Sequence, residues 1–273
     1  MKIQVLGPLG AEVNGGSIVP TAGKPRQILS LLALHPGRVM PVSVLMEEIW
    51  GTEPPQSALT TLQTYILQLR RRLGTAMGPD APEVAKDVLA TRHGGYLLQI
   101  PAESVDVHEY ERMVAEGRSA FEAGDDDSSA SLFRKALGLW RGSVLVDVRV
   151  GPILEIEVMR LEESRLGTLE RRIDADLRLG RHSELIAELI ELTARYPQHE
   201  GLHSQAMVAL YRSGRQASAL DIYRKLRIRL IEELGVEPSP QVQRLHQAML
   251  AVDPQLDVAA GPRRSSTFDL YAA

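Results

Sequence analysis

The chain has 273 residues, of which 44% are hydrophobic, 24% charged and only 4% aromatic, and its formal net charge is −4. That length suits two modest domains with aliphatic cores, and the absence of cysteine excludes a disulfide framework or a thiolate metal site and fits a reducing cytoplasm. No apolar run approaches a membrane span and the N-terminus lacks a basic-then-apolar signal pattern, so no membrane is expected as a partner. The charge divides unevenly. Residues 1–100 hold 9 Lys+Arg against 7 Asp+Glu, and residues 101–273 hold 22 against 28. The first part is therefore net basic, and a local field governs phosphate binding more than the whole-chain sum does.

In chain order, Ile3–Leu6 alternates as a strand. Ala11–Val13 and Ser17–Val19 flank Asn14-Gly15-Gly16, a hairpin signal. A helix follows, with Pro25 in its first turn, Lys24 and Arg26 at its start, and Pro36-Gly37 as its stop. Val39–Met40 reads as a short extended link. Pro41 opens a second helix with Val42, Leu45, Met46 and Ile49 on one face, and Glu53-Pro54-Pro55 forces a turn.

Ser57–Gly74 is the third helix. Leu59, Leu62, Ile66, Leu69 and Leu73 form its apolar stripe, and Ser57, Thr60, Thr61, Thr64, Gln68, Arg71 and Arg72 lie opposite without an acidic residue. Hydroxyls, an amide and guanidinium groups suit base edges and phosphates, so this reads as a DNA recognition helix. Thr60, Thr61, Thr64 and Gln68 are best placed for base edges or nearby phosphates, and Arg71 and Arg72 for phosphates. Arg70 falls near the apolar stripe and takes a lesser role. After a Pro/Gly-containing loop, two β-rich runs within Val88–Ile100 meet at Arg92-His93-Gly94-Gly95. The order is that of a winged helix-turn-helix, and the basic tip, Arg92 with His93, suits a narrow minor groove. Lys24 and Arg26 complete the candidate DNA-binding set.

From Val105 onward the sequence is helical. Leu179-Gly180-Arg181 recurs in kind as Ser213-Gly214-Arg215, with the glycines 34 residues apart, the tetratricopeptide length. Ala123-Gly124-Asp125 looks like a third joint of this kind, but it lies 56 residues before Gly180, so about 22 residues intrude, among them Trp140-Arg141-Gly142 and Val144–Pro152. Stacked helix pairs of this type make concave binding surfaces. The fold class is thus mainly α: an N-terminal α+β winged helix-turn-helix over 1–100, an all-α tetratricopeptide-like domain over 101–252, and a flexible tail or linker over 253–273.

Two stretches imitate metal sites. His199-Glu200-Gly201-Leu202-His203 matches the zinc-protease pattern His-Glu-x-x-His. It stands at the start of a repeat helix, weakened by Gly201 and without a third ligand, so we read two solvent-facing histidines. Asp125-Asp126-Asp127 lacks the alternating ligands of a calcium loop and reads as a solvated loop that caps the next helix. No catalytic grouping, cofactor or metal site emerges.

Several stretches carry a family resemblance: Leu-Gly-Pro-Leu (6–9), Ile-Trp-Gly-Thr-Glu-Pro-Pro (49–55), Gln-Leu-Arg-Arg-Arg-Leu-Gly (68–74), Gly-Gly-Tyr-Leu-Leu (94–98), Ala-Leu-Gly-Leu-Trp-Arg-Gly (136–142), Leu-Tyr-Arg-Ser-Gly-Arg-Gln (210–216) and Glu-Glu-Leu-Gly-Val-Glu-Pro-Ser-Pro (232–240). With them the chain resembles the Streptomyces antibiotic regulatory protein family, an OmpR-type winged helix followed by a bacterial transcriptional activation domain. The resemblance implies a non-enzymatic activator of secondary-metabolite genes, cytoplasmic and associated with the nucleoid. It also implies binding to direct repeats of double-stranded promoter DNA near the −35 region as a head-to-tail dimer, with recruitment of the RNA polymerase holoenzyme. The alternative is a protein-interaction scaffold in which the helical repeats bind partners and the winged helix is a docking module.

Overall fold

The computed structural model describes residues 1–78 and 82–256. They form two compact units, one of Met1–Met113 with Lys135–Leu166, the other of Val114–Arg134 with the chain from Gly167 onward. The α+β beginning and the all-α remainder agree with the fold class expected from the sequence.

The first unit opens with strands β1 (Lys2–Gln4), β2 (Gly10–Val13) and β3 (Gly16–Ser17), an antiparallel sheet in that order. Asn14 and Gly15, with φ of 51° and 79°, make its two-residue turn. Helix α1 (Gly23–Leu34), strand β4 (Val39–Pro41), helices α2 (Val42–Trp50), α3 (Ala58–Met77) and α4 (Pro82–Val88), and strands β5 (Leu89–Arg92) and β6 (Gly95–Leu98) follow. The second sheet has the order β4-β6-β5. The expected link Val39–Met40 is therefore a strand, with Met40 paired to Tyr96. The loop expected after Gly74 is largely helical, because α3 continues to Met77 and α4 begins at Pro82; residues 79–81 lie outside the described residues.

The core of this unit forms where α1, α2 and α3 meet, with Ile28, Leu31, Leu45 and Leu62 at 0% exposure. Leu62, Ile66, Leu69 and Leu73 are buried as the stripe requires, but Leu59 is 48% exposed and Ala58 is buried in its place. Both residues flank the stripe centre by about 50° at 3.6 residues per turn. The fold covers the side of the stripe that holds Ala58.

The stretch that interrupts the repeat packs onto the first sheet. Arg141 donates its amide to the Leu6 carbonyl at 2.8 Å and Leu145 donates to Val5 at 3.1 Å. The Arg141 guanidinium reaches the Pro8 carbonyl at 3.0 Å, and Asp147 accepts the Leu9 amide at 2.7 Å. The motif Leu6–Leu9 is thus a receptor for residues 141–147. Asp106 accepts the Val5 and Leu6 amides at 2.8 and 3.2 Å. From α2, Glu48, 1% exposed, accepts the amides of Gly151, Ile153 and Leu154 at 2.6, 3.1 and 2.9 Å. Those amides open helix α7 (Pro152–Arg178), so Glu48 satisfies helix-terminal donors that would otherwise be orphaned. Trp140 packs edge-on against Tyr110, centroids 5.4 Å apart, under the Arg165 guanidinium.

The remaining helices are α5 (Asp106–Glu122), α6 (Asp126–Leu137), α8 (His182–Arg195), α9 (Glu200–Arg212), α10 (Gln216–Leu234) and α11 (Pro240–Leu250). In the second unit, three joints share one geometry. Gly124, Gly180 and Gly214 take φ of 78°, 78° and 74°, and the next residue's amide bonds back five positions: Asp125 to Ala120, Arg181 to Asp176 and Arg215 to Leu210, at 2.9, 3.0 and 2.9 Å. This is the Schellman ending, and its left-handed position selects glycine. Helix α9 is buried from Gly201 to Leu210, and a groove of about 540 Å³ runs along α8, α9 and α10, lined by Ile190, Thr193, His203, Ile222 and Ile228 among others.

Both metal-like stretches make hydrogen bonds within the protein. His199 Nδ1 accepts the Leu202 amide at 3.3 Å and caps α9, while Glu200 accepts the Ser239 amide at 2.7 Å. His203 is not solvent-facing as expected: it is 5% exposed, with Nδ1 3.0 Å from the His199 carbonyl. Asp125 accepts the Ser128 amide at 3.0 Å at the start of α6, the capping role expected of it. The expected tail falls, from residue 257 on, outside the described residues. Before it, Pro254–Leu256 makes a single 3-10 turn, and Leu256 is buried with its carbonyl bonded to Arg212 at 2.8 Å.

Candidate nucleic-acid interface

Helix α3 is held along its length by one buried edge, so its opposite edge is fixed in direction. Among the residues left outside are Thr60, Gln63, Thr64, Gln68 and Arg71, all exposed, with Thr61 half-buried beside them. No carboxylate occurs in the helix, so nothing on it opposes a phosphate. Thr64 donates its hydroxyl to the Thr60 carbonyl at 3.0 Å, which fixes its rotamer on this edge. Leu67 shares the edge and is 47% exposed. It stands outside the expected set, although a helical wheel sets Leu67 about 130° from the centre of the buried stripe.

The wing is β5, β6 and their turn. Gly94, at φ 76°, makes the turn, and a Cβ on Gly95 would lie 2.2 Å from the Met40 carbonyl oxygen. The pair Gly94-Gly95 therefore serves both the turn and the close approach of β6 to β4. Arg92 and His93 stand exposed at the tip, with Arg92 Nη1 donating to the Thr91 carbonyl at 3.2 Å.

The other candidates are placed differently. Lys24 is half-buried, with its ammonium 4.9 Å from the Trp50 ring centroid. Arg26 turns inward to an ion pair with Asp147, a partner 121 residues away with no local signal in the sequence. Arg72 is half-buried and donates to the Val19 carbonyl at 3.3 Å, which ties α3 to the chain after β3. Arg70 donates from Nε to the Leu89 carbonyl and from Nη2 to Thr91 Oγ1, both at 2.8 Å. The fold thus gathers Thr60, Thr61, Thr64, Gln68 and Arg71 on one edge of α3 and sets Arg92 and His93 on the wing. Arg26 and Arg72 are engaged within the protein. Among the described residues no group of three or more His, Asp or Glu side chains is arranged to hold a metal ion, and no helix is long and apolar enough to cross a membrane.

Comparison with known proteins covers both parts of the chain. Residues 16–98 match the family of C-terminal domains of transcriptional regulatory proteins, and residues 105–250 match the bacterial transcriptional activator domain family. The regulatory protein DnrI of Streptomyces peucetius is 55% identical over 94% of this chain and 94% of its own length. The transcriptional regulator RedD of Streptomyces coelicolor is 37% identical over 94% of this chain and 73% of its own. The regulatory protein AfsR of Streptomyces griseus is 40% identical over 94% of this chain, which spans 25% of that longer protein. Among solved structures, Mycobacterium tuberculosis EmbR in complex with a low-affinity phosphopeptide superposes with a TM-score of 0.85 at 32% identity, covering 93% of this chain and 65% of that one.

Proposed function

We infer the function from a plain premise: the chain belongs to the Streptomyces antibiotic regulatory protein family, DNA-binding transcriptional activators that join an OmpR-type winged helix to a bacterial transcriptional activation domain. On our reading α3 enters the major groove. Thr60, Thr61, Thr64 and Gln68 meet base edges or the phosphates beside them, Leu67 meets a thymine methyl, and Arg71 meets a phosphate. Arg92, with His93, enters the adjacent minor groove, and Lys24 reaches the backbone from the start of α1. Arg26 and Arg72 act within the protein and stand outside this set.

The observation that carries the reading is the acid-free exposed edge of α3 in the same unit as an exposed basic wing. The finer assignments are direct repeats near the −35 region, head-to-tail protomers on DNA, recruitment of RNA polymerase holoenzyme, control of antibiotic-biosynthesis genes, residence in the cytoplasm on the nucleoid, and the absence of catalysis. The groove along α8–α10 suits the helical unit to protein contacts rather than to chemistry. Footprinting on the promoter nearest the gene, with and without RNA polymerase, tests this directly. A protected repeat with raised polymerase occupancy supports activation by recruitment. Protection that leaves occupancy unchanged or lowers it removes the activator assignment, and no protection removes the reading of α3.

A further inference from the structure

Arg70 sits in the basic run of α3, half-buried, and turns its guanidinium to β5. Its planar fork grips β5 side-on, with Nε on the Leu89 carbonyl and Nη2 on Thr91 Oγ1, each at 2.8 Å. Two acceptors two residues apart on one strand fix rotation as well as distance, which a single contact cannot do, and the guanidinium is the side chain built for such a paired grip. The gripped strand continues directly into the wing tip: Thr91 gives Arg70 its hydroxyl oxygen and gives Arg92 its carbonyl, 3.2 Å from Nη1. Arg70, Thr91 and Arg92 thus form one chain of hydrogen bonds from the helix to the tip.

Resting on the DNA reading above, we propose that Arg70 is a positioning residue that locks the wing to the recognition helix, so that Arg92 and the Thr64–Gln68 edge engage their two grooves as one rigid reader. The physical advantage is pre-organisation. A wing free to swing about its strands must be ordered when DNA binds, and that cost cancels what Arg92 gains. With Arg70 in place the ordering is already done, and the spacing between the two contacted grooves becomes part of the recognised sequence.

The test is a double-mutant cycle on the whole chain, using as probe a duplex selected by the parent protein from random-sequence DNA. Arg92→Ala and Arg70→Gln should each weaken binding about tenfold, the scale of one good groove contact. The double variant should be no weaker than either alone. Hydroxyl-radical footprints of Arg70→Gln should lose the minor-groove protection due to the wing, while dimethyl sulfate footprints should keep the protection of major-groove guanine N7 atoms. A structural defect alone would weaken both grooves together. Thr91→Val, at an exposed strand position, removes only the hydroxyl acceptor and should uncouple Arg92 in part, which keeps the cycle usable if Arg70→Gln fails to fold.

A double variant about a hundredfold weaker, with the two effects additive, overturns the lock. If Arg71→Ala still weakens binding in that case, the reading of α3 survives without it. If Arg92→Ala leaves the parent's affinity unchanged, the wing assignment and the lock fall together.

Discussion

Glu48 takes the amide of Gly151 at 2.6 Å across 103 residues of sequence, and its second carboxylate oxygen takes the amides of Ile153 and Leu154. A Cβ on Gly151 would lie 1.9 Å from the Glu48 carbonyl oxygen, so the two backbones must touch for the side chain to reach its donors. Burial pushes the Glu48 carboxyl up from its ordinary range, while the three amides and Gln27 pull it back. Glu48→Ala should cost about 3 kcal/mol in urea unfolding, because it leaves three amides without their acceptor. Gly151→Ala should cost at least as much, because backbone rather than a side-chain end has to move.

Arg71 is the exposed guanidinium of the α3 edge. Arg71→Ala should weaken binding to all duplexes alike and flatten the plot of log affinity against log salt by about 0.9, one phosphate's share. Gln68→Ala should instead change which sequences are preferred, by about 1–3 kcal/mol, the scale of the base contact proposed for it. Salt titrations by fluorescence anisotropy on selected and scrambled duplexes separate the two.

Leu67 stands 47% exposed between polar neighbours. Replacing thymines of the selected duplex one at a time by deoxyuridine deletes a single methyl and keeps base pairing. At one position the parent should lose about 0.8 kcal/mol, the worth of one buried carbon. Leu67→Ala should bind both duplexes equally. Parent binding that ignores every such replacement removes Leu67 from the interface.

His203 is buried among α8–α10, and burial pushes its pKa below 6.5 despite the hydrogen bond to the His199 carbonyl. The folded form therefore refuses a proton that the unfolded chain accepts. Stability is complete above pH 6.5 and declines as the pH falls toward the depressed folded value. His35 and His246, also depressed chiefly by burial, act in the same direction. The melting temperature should fall between pH 7.5 and 5.5, and His203→Gln should shallow that fall. An unchanged slope in the variant assigns the effect to the other two histidines.

What the sequence made legible was local. The joints at Gly180 and Gly214 are visible because a left-handed residue needs glycine wherever it occurs, and the joint at Gly124 fits the same pattern. The wing is visible because Gly94-Gly95 interrupts two β-rich runs. The exposed edge of α3 follows from its period, and Leu67 was as readable as Thr64. Leu59 was not, since it and Ala58 flank the stripe equally and only tertiary packing decides between them. The partners of Arg26, Arg70 and Arg72 were not legible either: they depend on which backbone carbonyls or carboxylates arrive from 19 to 121 residues away. The strand role of Val39–Met40 likewise waits on its pairing with β6.

Residues 141–154 lie in the stretch matched by the activator-domain family, yet they finish the unit that holds α3 and the wing. On the ribosome this imposes an order. When the wing has been synthesised, Glu48 still has no amides to receive, and Val5 and Leu6 have neither Asp106 nor the amides of Leu145 and Arg141 beside them. The unit closes only after residue 154 has left the exit tunnel, well into the second matched family's stretch. A chain cut short of that point lacks part of the packing that finishes the unit of α3 and the wing, so residues of the activator-domain stretch complete the unit that precedes it.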